Sequence, residues 1–462
     1  MAARAVGAAD DVHDGRRYAT ALANDVANPL LHPQSPEHQQ LLQPQPQPSS
    51  SQIVSMPSAV RCSFIGEGSA NAVFCVTPIC DMAGEKSKSS SGRGGAATRG
   101  TGSSADAGPL STHLLRIPKA GPGVGPDTCL EHHAYYSNIL RPLFGAEWLV
   151  GQQLIQGVNS SGVHAMLNDM LADMDRGHRG RPDWVGTRVA ENIDVALLVE
   201  DMTAACKEPS YPSSTVIIQC KPKWLVQSPS APVGARRCRT CALAAASATS
   251  PATDGAELKT GHTKNSMSYK TKPCPLVLVA EPPSTSQEEV VLESALWDYV
   301  CEHLGSAVAF TSSSPGSPSI KLSSGPALSL ALKRARPAIT RWLRTTDFFR
   351  RLAAIQADFD PCGALSVDSS AAGASALQLE RLQTAMTLRD CTCFLRIKTS
   401  DDPTTSEPVV ISAKLGDLDR KDGRRKLARW QMQERTLLSG RFYLGTEKPR
   451  QSTQCWLERQ RP

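Results

Sequence analysis

Leu388-Arg389-Asp390-Cys391-Thr392-Cys393-Phe394-Leu395-Arg396-Ile397 leads through the turn Asp401-Asp402-Pro403 to a second run. That run is Pro408-Val409-Val410-Ile411-Ser412-Ala413-Lys414-Leu415-Gly416-Asp417-Leu418-Asp419. Each apolar run reads as a strand, and the Asp/Pro turn makes the pair a β-hairpin. Asp390 stands just before the hairpin and Asp417 just after it. Antiparallel pairing therefore brings two carboxylates to one end of a sheet. One can accept a proton from an attacking hydroxyl while the other holds a Mg2+ ion. The alternative is a β-hairpin that merely has acidic ends.

A second stretch, Val216-Ile217-Ile218-Gln219-Cys220-Lys221-Pro222-Lys223-Trp224, begins as a continuous apolar run and reads as a buried strand. Pro222 cannot donate a ladder hydrogen bond and places this point at a strand end or edge. Side chains two apart on a strand share a face, so Lys221 and Lys223 are expected to point the same way. They are either two solvated lysines or two cations that share an anion such as phosphate.

Earlier in the chain, Val60–Ile65 and Ala72–Val76 read as strands around Gly66-Glu67-Gly68-Ser69-Ala70-Asn71. Strand, glycine-rich turn, strand is the layout of a kinase phosphate loop, and it differs from the strand-loop-helix layout of Walker A and Rossmann sites. An ordinary hairpin turn is the competing reading. His113-Leu114-Leu115-Arg116-Ile117-Pro118-Lys119 is a short strand with basic residues, from which Arg116 or Lys119 can supply a cation to phosphates. Val195–Val199 is a buried strand that stops at Glu200-Asp201-Met202, the place of a hinge in a kinase layout. After Asp419 come six cations, Arg420, Lys421, Arg424, Arg425, Lys426 and Arg429. On one helix start they form a basic wall suited to a polyphosphorylated substrate. All these parts occur in kinase order, which favours the working-carboxylate reading of the hairpin.

The remaining segments are less specific. Helices are expected over Glu131–Leu140 and Glu288–Leu304, and over Ala331–Ala357, the last as one helix or a pair broken near Pro337. A strand is expected at Trp148–Val150, and a loop and helix over His164–Asp175. Residues 1–57, with their Gln/Pro tract, are expected to be disordered. The Ser/Gly-rich stretch 82–111, the polar stretch 244–268 and the Ser/Pro-rich stretch 311–325 read as inserts or loops. The Cys-x-x-Cys pair Cys238/Cys241 lacks a second pair at zinc spacing in the sequence and reads as two packed thiols.

A chain of 462 residues has room for two or three domains, and a net charge of +6 is too small to argue for nucleic acid. Fourteen cysteines in so long a chain do not make a disulfide scaffold, and free thiols are expected. No secretory signal and no apolar run long enough for a transmembrane helix is seen.

The chain resembles the inositol-pentakisphosphate 2-kinases, in particular those of fungal type. The resemblance rests on Gly66–Asn71, Leu115–Lys119, Lys221-Pro222-Lys223-Trp224, Cys238-Arg239-Thr240-Cys241, Leu388–Thr392 and Gly416–Asp419. It implies an α+β, two-lobed protein-kinase-like fold of the inositol polyphosphate kinase type. The expected divisions are a disordered region 1–57, an N-lobe 58–205 carrying the flexible insert 82–111, and a C-lobe 206–462. It implies ATP and Mg2+ as cofactors, inositol pentakisphosphate as substrate and the hexakisphosphate (phytate) as product. It also implies a monomer without nucleic acid or membrane partners, in the nucleus or cytoplasm.

By the family pattern Asp390 is the general base, and Asp417, with Asp419, holds the metal. Gly66, Glu67, Gly68, Asn71, Arg116 and Lys221 serve the nucleotide phosphates, and Glu200, Asp201 and Met202 form the hinge. Lys223, Lys421 and Arg425 or Arg424 hold substrate phosphates. Two positions depart from the pattern: Gln219 stands where the family has Glu, and Val277 where it has Asp. They leave room for a catalytically weak binder of inositol phosphates or protein partners. A kinase of this fold acting on another substrate is the third reading. The zinc site of plant members has no counterpart that the sequence shows, so Mg2+ is the only metal expected.

Overall fold

The computed structural model describes residues 53–79, 109–177, 181–202, 213–249, 272–303, 308–311, 320–322, 326–368, 374–400, 409–448 and 450–460. Of the region 1–57 expected to be disordered, residues 1–52 lie outside the described residues, but Ile53–Ser55 form a strand, because their backbone pairs with Leu154–Gln156. Of the expected insert 82–111, residues 82–108 lie outside, but Pro109–Ser111 form a 3-10 turn. The loop at 250–268 and the turn Asp401-Asp402-Pro403 also lie outside the described residues. The chain forms two compact units, one within residues 45–211 and a larger one within 212–313 and 320–462.

The smaller unit is built on a six-stranded sheet. Its strands are β1 (Ile53–Ser55), β2 (Val60–Glu67), β3 (Asn71–Pro78), β4 (His113–Pro118), β5 (Gln152–Gln156) and β6 (Val195–Glu200), in the order β1-β5-β6-β4-β3-β2. Only the β1–β5 pair is parallel. Period-two alternation explains β3, which buries Ala72, Phe74 and Val76. Helix α1 (Thr128–Tyr135) continues through a π-turn at Tyr136–Leu140 into α2 (Arg141–Phe144). Pro142 offers no N–H to the carbonyl one turn back, and the helix widens just ahead of it. Helix α3 (Val163–Arg176) buries Val163, Leu167 and Leu171, four residues apart, in the same core cluster as Phe74, Leu115 and Leu198 of the sheet. The strand expected at Trp148–Val150 is displaced: Trp148 lies in a turn, the buried Leu149 makes only a single β-bridge, and the continuous ladder begins at Gln152. Interior pairing with β6 outweighs the polar character of Gln152 and Gln153.

The larger unit holds a five-stranded antiparallel sheet. Its strands are β7 (Ser213–Cys220), β8 (Val308–Thr311), β9 (Ile320–Leu322), β10 (Thr392–Ser400) and β11 (Val409–Gly416), in the order β11-β10-β7-β8-β9. Val216, Ile217 and Ile218 are all buried, as a continuous apolar run in a central strand requires. Two stretches read as loops carry regular structure. Helix α4 (Arg239–Thr249) extends into 244–249, and Thr311 and residues 320–322 belong to β8 and β9. Helices α5 (Ser286–Glu302), α6 (Pro326–Thr345), α7 (Asp347–Phe359), α8 (Ala374–Leu388), α9 (Gly423–Ser439) and the short α10 (Trp456–Arg459) complete the unit. The expected break near Pro337 is not there. Pro337 lies inside α6, and the chain breaks at Thr346, whose hydroxyl caps α7 by accepting from the Phe348 N–H at 3.2 Å.

Candidate active site

Sheet register assembles the centre in the larger unit. Cys393 pairs with Cys220, and Thr392 pairs with Gly416. The residues just beyond those positions, Lys221, Asp390 and Asp417, therefore leave the sheet at one end. Lys221 Nζ donates to Asp417 Oδ2 at 3.0 Å and to the Asp390 carbonyl at 3.1 Å. Lys223 Nζ donates to Asp390 Oδ1 at 3.0 Å, and Lys421 Nζ to Asp390 Oδ2 at 2.8 Å. The two lysines flanking Pro222 do converge, but not by strand alternation. Strand β7 ends at Cys220, and Lys223 turns through the left-handed region at φ 58°. The anion they meet here is the Asp390 carboxylate.

Asp417 is also left-handed, at φ 54°. Such a backbone costs a non-glycine residue about 1–2 kcal/mol, and two of the three described non-glycine cases fall in this cluster. The ion pairs offset little of that cost. The side chains of Lys221, Lys223, Asp390 and Asp417 are each 41–44 % exposed, where such pairs contribute about 0–1 kcal/mol. Partial burial pushes the Asp390 carboxyl up, but Lys421, Lys223 and Lys221 outweigh it and hold it well below the usual carboxylate range. Burial pushes Lys221 down, and Asp417 and Asp390 more than reverse this, so its ammonium is held more firmly than usual.

Rigidity comes from a buried frame that sequence reasoning missed. Gln356 of α7 donates to the carbonyls of Lys223 (2.9 Å) and Leu388 (3.3 Å) and accepts from the Leu225 N–H (3.0 Å). One buried amide thus joins the lysine segment to the chain entering Asp390. Arg389 pairs with Asp360 at 2.6 Å and lies 3.5 Å over the Trp224 ring, while Arg239 covers the same ring at 4.3 Å. Arg239 in turn pairs with Glu434 of α9, which accepts from Ser228 and Tyr443. The only sequence signals were a glutamine on an apolar helix face and an arginine beside the candidate base.

Beyond the second carboxylate, the carbonyl of Asp419 accepts from Thr387 Oγ1 at 3.5 Å, and the same hydroxyl accepts from the Lys421 N–H at 3.0 Å. Asp422 caps α9, its carboxylate accepting from the Arg425 N–H. Arg424, Arg425, Lys426 and Arg429 are exposed along the first turns of that helix. Gln219 is exposed, whereas Val277 is buried in the turn Pro275–Val279.

In the smaller unit the glycine-rich segment is the tip of the β2–β3 hairpin. The Glu67 carboxylate turns inward. It accepts from Lys119 Nζ at 2.9 Å and from Arg181 Nε and Nη2 at 2.6 and 3.0 Å, with its side chain 4 % exposed. Lys119 also donates to the Gly68 carbonyl and sits 3.8 Å over the Trp184 ring. Of the two cations left open by the sequence, Lys119 is therefore committed to holding the hairpin. Arg116 is half-buried on β4, between Val73 and Leu197 in the ladder. Asn71 is buried at the base of the turn. A Cβ on Gly66 or Gly68 would meet no described atom within 4 Å, so the fold itself does not demand glycine at either position. At the end of β6, Glu200 Oε2 accepts from the Gly151 N–H and the Asp201 N–H donates to the Thr112 carbonyl; Asp201 and Met202 are buried.

Compared with known protein families, residues 64–436 match the model described as inositol-pentakisphosphate 2-kinase. No curated protein matches the chain. The family match spans both units, and the chain belongs to the inositol-pentakisphosphate 2-kinase family.

Proposed function

We propose that this protein is an ATP-dependent kinase with a protein-kinase-like, two-lobed fold. It phosphorylates the 2-hydroxyl of inositol 1,3,4,5,6-pentakisphosphate to give the hexakisphosphate. The observation that carries this reading is the convergence of Asp390, Asp417 and Lys221 at one end of the hairpin sheet. Asp390 accepts the proton of the 2-hydroxyl as its oxygen bonds to the γ-phosphorus, and the bond from that phosphorus to the ADP oxygen breaks. Asp417 offers Mg2+ an exposed carboxylate, the hard donor it prefers, with Asp419 as a second. When bound, Mg2+ supplies charge neutralisation at the transferring phosphoryl group.

Lys221 carries positive charge toward the nucleotide phosphates, as do Arg116 and the backbone of Gly66, Glu67, Gly68 and Asn71. Glu200, Asp201 and Met202 serve the adenine. Lys223, Lys421, Arg424 and Arg425 hold substrate phosphates, and a lysine has donors enough to serve both Asp390 and a phosphate. A single hydroxyl would not need the exposed cations at the start of α9; a polyphosphate does. No helix among the described residues is long and apolar enough to cross a membrane, and we assign the enzyme to the nucleus or cytoplasm as a monomer.

Transfer of labelled phosphate from ATP to inositol pentakisphosphate tests this reading. Asp390→Asn should lower the rate by about 10²–10⁴-fold with substrate binding retained. Binding without transfer by the wild-type protein would favour a non-catalytic inositol polyphosphate binder, the reading suggested by Gln219 and Val277.

A further inference from the structure

Two buried side chains from different helices meet the lysine segment on either side of Pro222. Strand β7 makes its last ladder pair with β10 at Cys220, opposite Cys393, so the backbone from Lys221 onward has left the ladder. Pro222 is buried and brings no N–H of its own. Polar groups taken out of water here need other partners. Tyr299, in the last turn of α5, donates its hydroxyl to the Lys221 carbonyl at 3.3 Å. Gln356 of α7 donates to the Lys223 carbonyl at 2.9 Å and accepts from the Leu225 N–H at 3.0 Å. Its second amide hydrogen goes to the Leu388 carbonyl at 3.3 Å. Tyr299 is 4 % exposed and Gln356 0 %.

The two contacts divide the segment between them. The Tyr299 hydroxyl holds the lysine that donates to Asp417 and to the Asp390 carbonyl. The Gln356 amide holds the lysine that donates to the Asp390 carboxylate, together with the chain entering Asp390. A fixed carbonyl fixes the backbone rotation of its own residue, and so the direction in which the chain and side chain leave. Lys223 adopts φ 58°, a conformation that persists only where its surroundings over-determine it. Gln356 supplies that by bonding both to the Lys223 carbonyl and to the N–H two residues on. A carboxylate in its place would have no N–H to give either carbonyl. The His303 ring stacks on Tyr299 at 4.6 Å and closes it in. Burial, with the Cys220 thiol nearby, pushes ionisation of the Tyr299 hydroxyl well above the usual phenol range, so it stays a donor. A structural role alone asks only that each polar end find some partner. It does not require two helices to deliver both ends to the same short segment.

We propose that Tyr299 and Gln356 are positioning residues for phosphoryl transfer, Tyr299 for the cation that serves the nucleotide and Gln356 for the cation and base that serve the inositol phosphate. The inference rests on the kinase reading above and gives neither residue a contact with substrate. Without the Tyr299 hydroxyl, Lys221 is free to leave the line of the nucleotide phosphates. Without the Gln356 amide, Lys223 and the chain before Asp390 lose a shared support, so a substrate cation and the base move together. Transfer depends on such placement: a shift of about 1 Å in a reacting group costs about 10²-fold in rate.

The test uses the full chain with Mg2+ present. Calorimetry measures affinity for a non-hydrolysable ATP analogue and for inositol hexakisphosphate, and transfer of labelled phosphate measures kcat. Tyr299→Phe should weaken binding of the ATP analogue by about 2–10-fold and leave the hexakisphosphate within about twofold of wild type. Gln356→Met should weaken the hexakisphosphate and lower kcat, each by about 10–10²-fold, with the ATP analogue within about twofold. Each loss of affinity should vanish where the lysine it acts through is already gone. Adding Tyr299→Phe to Lys221→Met, or Gln356→Met to Lys223→Met, should cost no further affinity. A purely structural role would lower both affinities alike and in both backgrounds. Should Gln356→Met fail to fold, Gln356→Asn, a methylene too short to span the two segments, and the Tyr299 pair decide the matter. Equal losses for the two ligands, a Tyr299→Phe loss that persists in full beside Lys221→Met, or no loss at all would overturn the proposal. Wild-type protein that binds both ligands and transfers no phosphate would refute the kinase reading, and the split in affinities would still decide the positioning roles.

Discussion

Glu67→Gln separates a structural role from a ligand-binding one at the tip of the glycine-rich hairpin. The wild-type carboxylate lies between Lys119 and Arg181, whose side chains are 4 % and 1 % exposed. The amide keeps the shape and removes the charge. Arg181 retains Asp175 at 2.8 Å, whereas Lys119 is left with the Gly68 carbonyl and the Trp184 face. Removing one partner of a buried ion pair costs about 3–5 kcal/mol. In a protein of this size that lowers Tm by about 6–20 °C if the smaller unit melts cooperatively.

Circular dichroism melts of both proteins at pH 7 measure the loss. Adding Lys119→Met to Glu67→Gln should recover part of it, because the stranded cation is then gone. A pH arm is available. Burial pushes the Glu67 carboxyl up, but Arg181 and Lys119 outweigh it and lower it overall. A depressed folded pKa means that this stabilisation is present above the unfolded carboxyl value of about 4.3 and is lost as pH falls through the folded one. The wild-type and Glu67→Gln melts should therefore converge under acid. A Glu67→Gln protein that melts within about 1 kcal/mol of wild type but has a raised KM for ATP would refute the reasoning. The carboxylate would then serve the nucleotide and not the hairpin.

Gly68→Ala should leave stability within about 1 kcal/mol of wild type, because the added Cβ meets open space, while the KM for ATP rises. Lys221→Met removes a partly exposed cation from between two carboxylates. The melt should shift by no more than about 1 kcal/mol, but transfer to inositol pentakisphosphate should fall by about 10²-fold or more. Arg389→Met strands Asp360 in the interior and uncovers Trp224; a denaturant titration should show a loss of about 3–5 kcal/mol. Raising ionic strength should weaken substrate affinity and leave the melt nearly unchanged, because the cations of α9 are exposed and screened.

The parts legible in the sequence share a local origin. The carboxylate hairpin follows from two apolar runs and a turn, and its register was implicit in where the runs begin and end. The glycine-rich hairpin was legible for the same reason. Misreadings arose where a window of sequence held two competing signals. Pro337 drew the expected helix break away from Thr346, because a proline is a strong local breaker while the cap at Thr346 acts through a single hydroxyl. Strand β5 was missed because backbone pairing inside a sheet tolerates polar side chains that periodicity reads as loop.

By itself, then, the sequence determined the order of the working parts, the two hairpins and the residue types available for phosphoryl transfer. Tertiary structure decided which of those residues are committed elsewhere and what holds the rest. Lys119 was equivalent to Arg116 along the strand until Arg181 and Glu67 met it from 62 and 52 residues away. Gln356 was an ordinary polar residue until Lys223 and Leu388 came within its reach. Cys238 and Cys241 were a bare pair until the fold delivered Cys274 and Cys455. Periodicity and turn chemistry act over a few neighbouring residues and can be read from them. Ion pairs, buried amides and ligand sets depend on which distant segments the core brings into contact, and no local window contains that information.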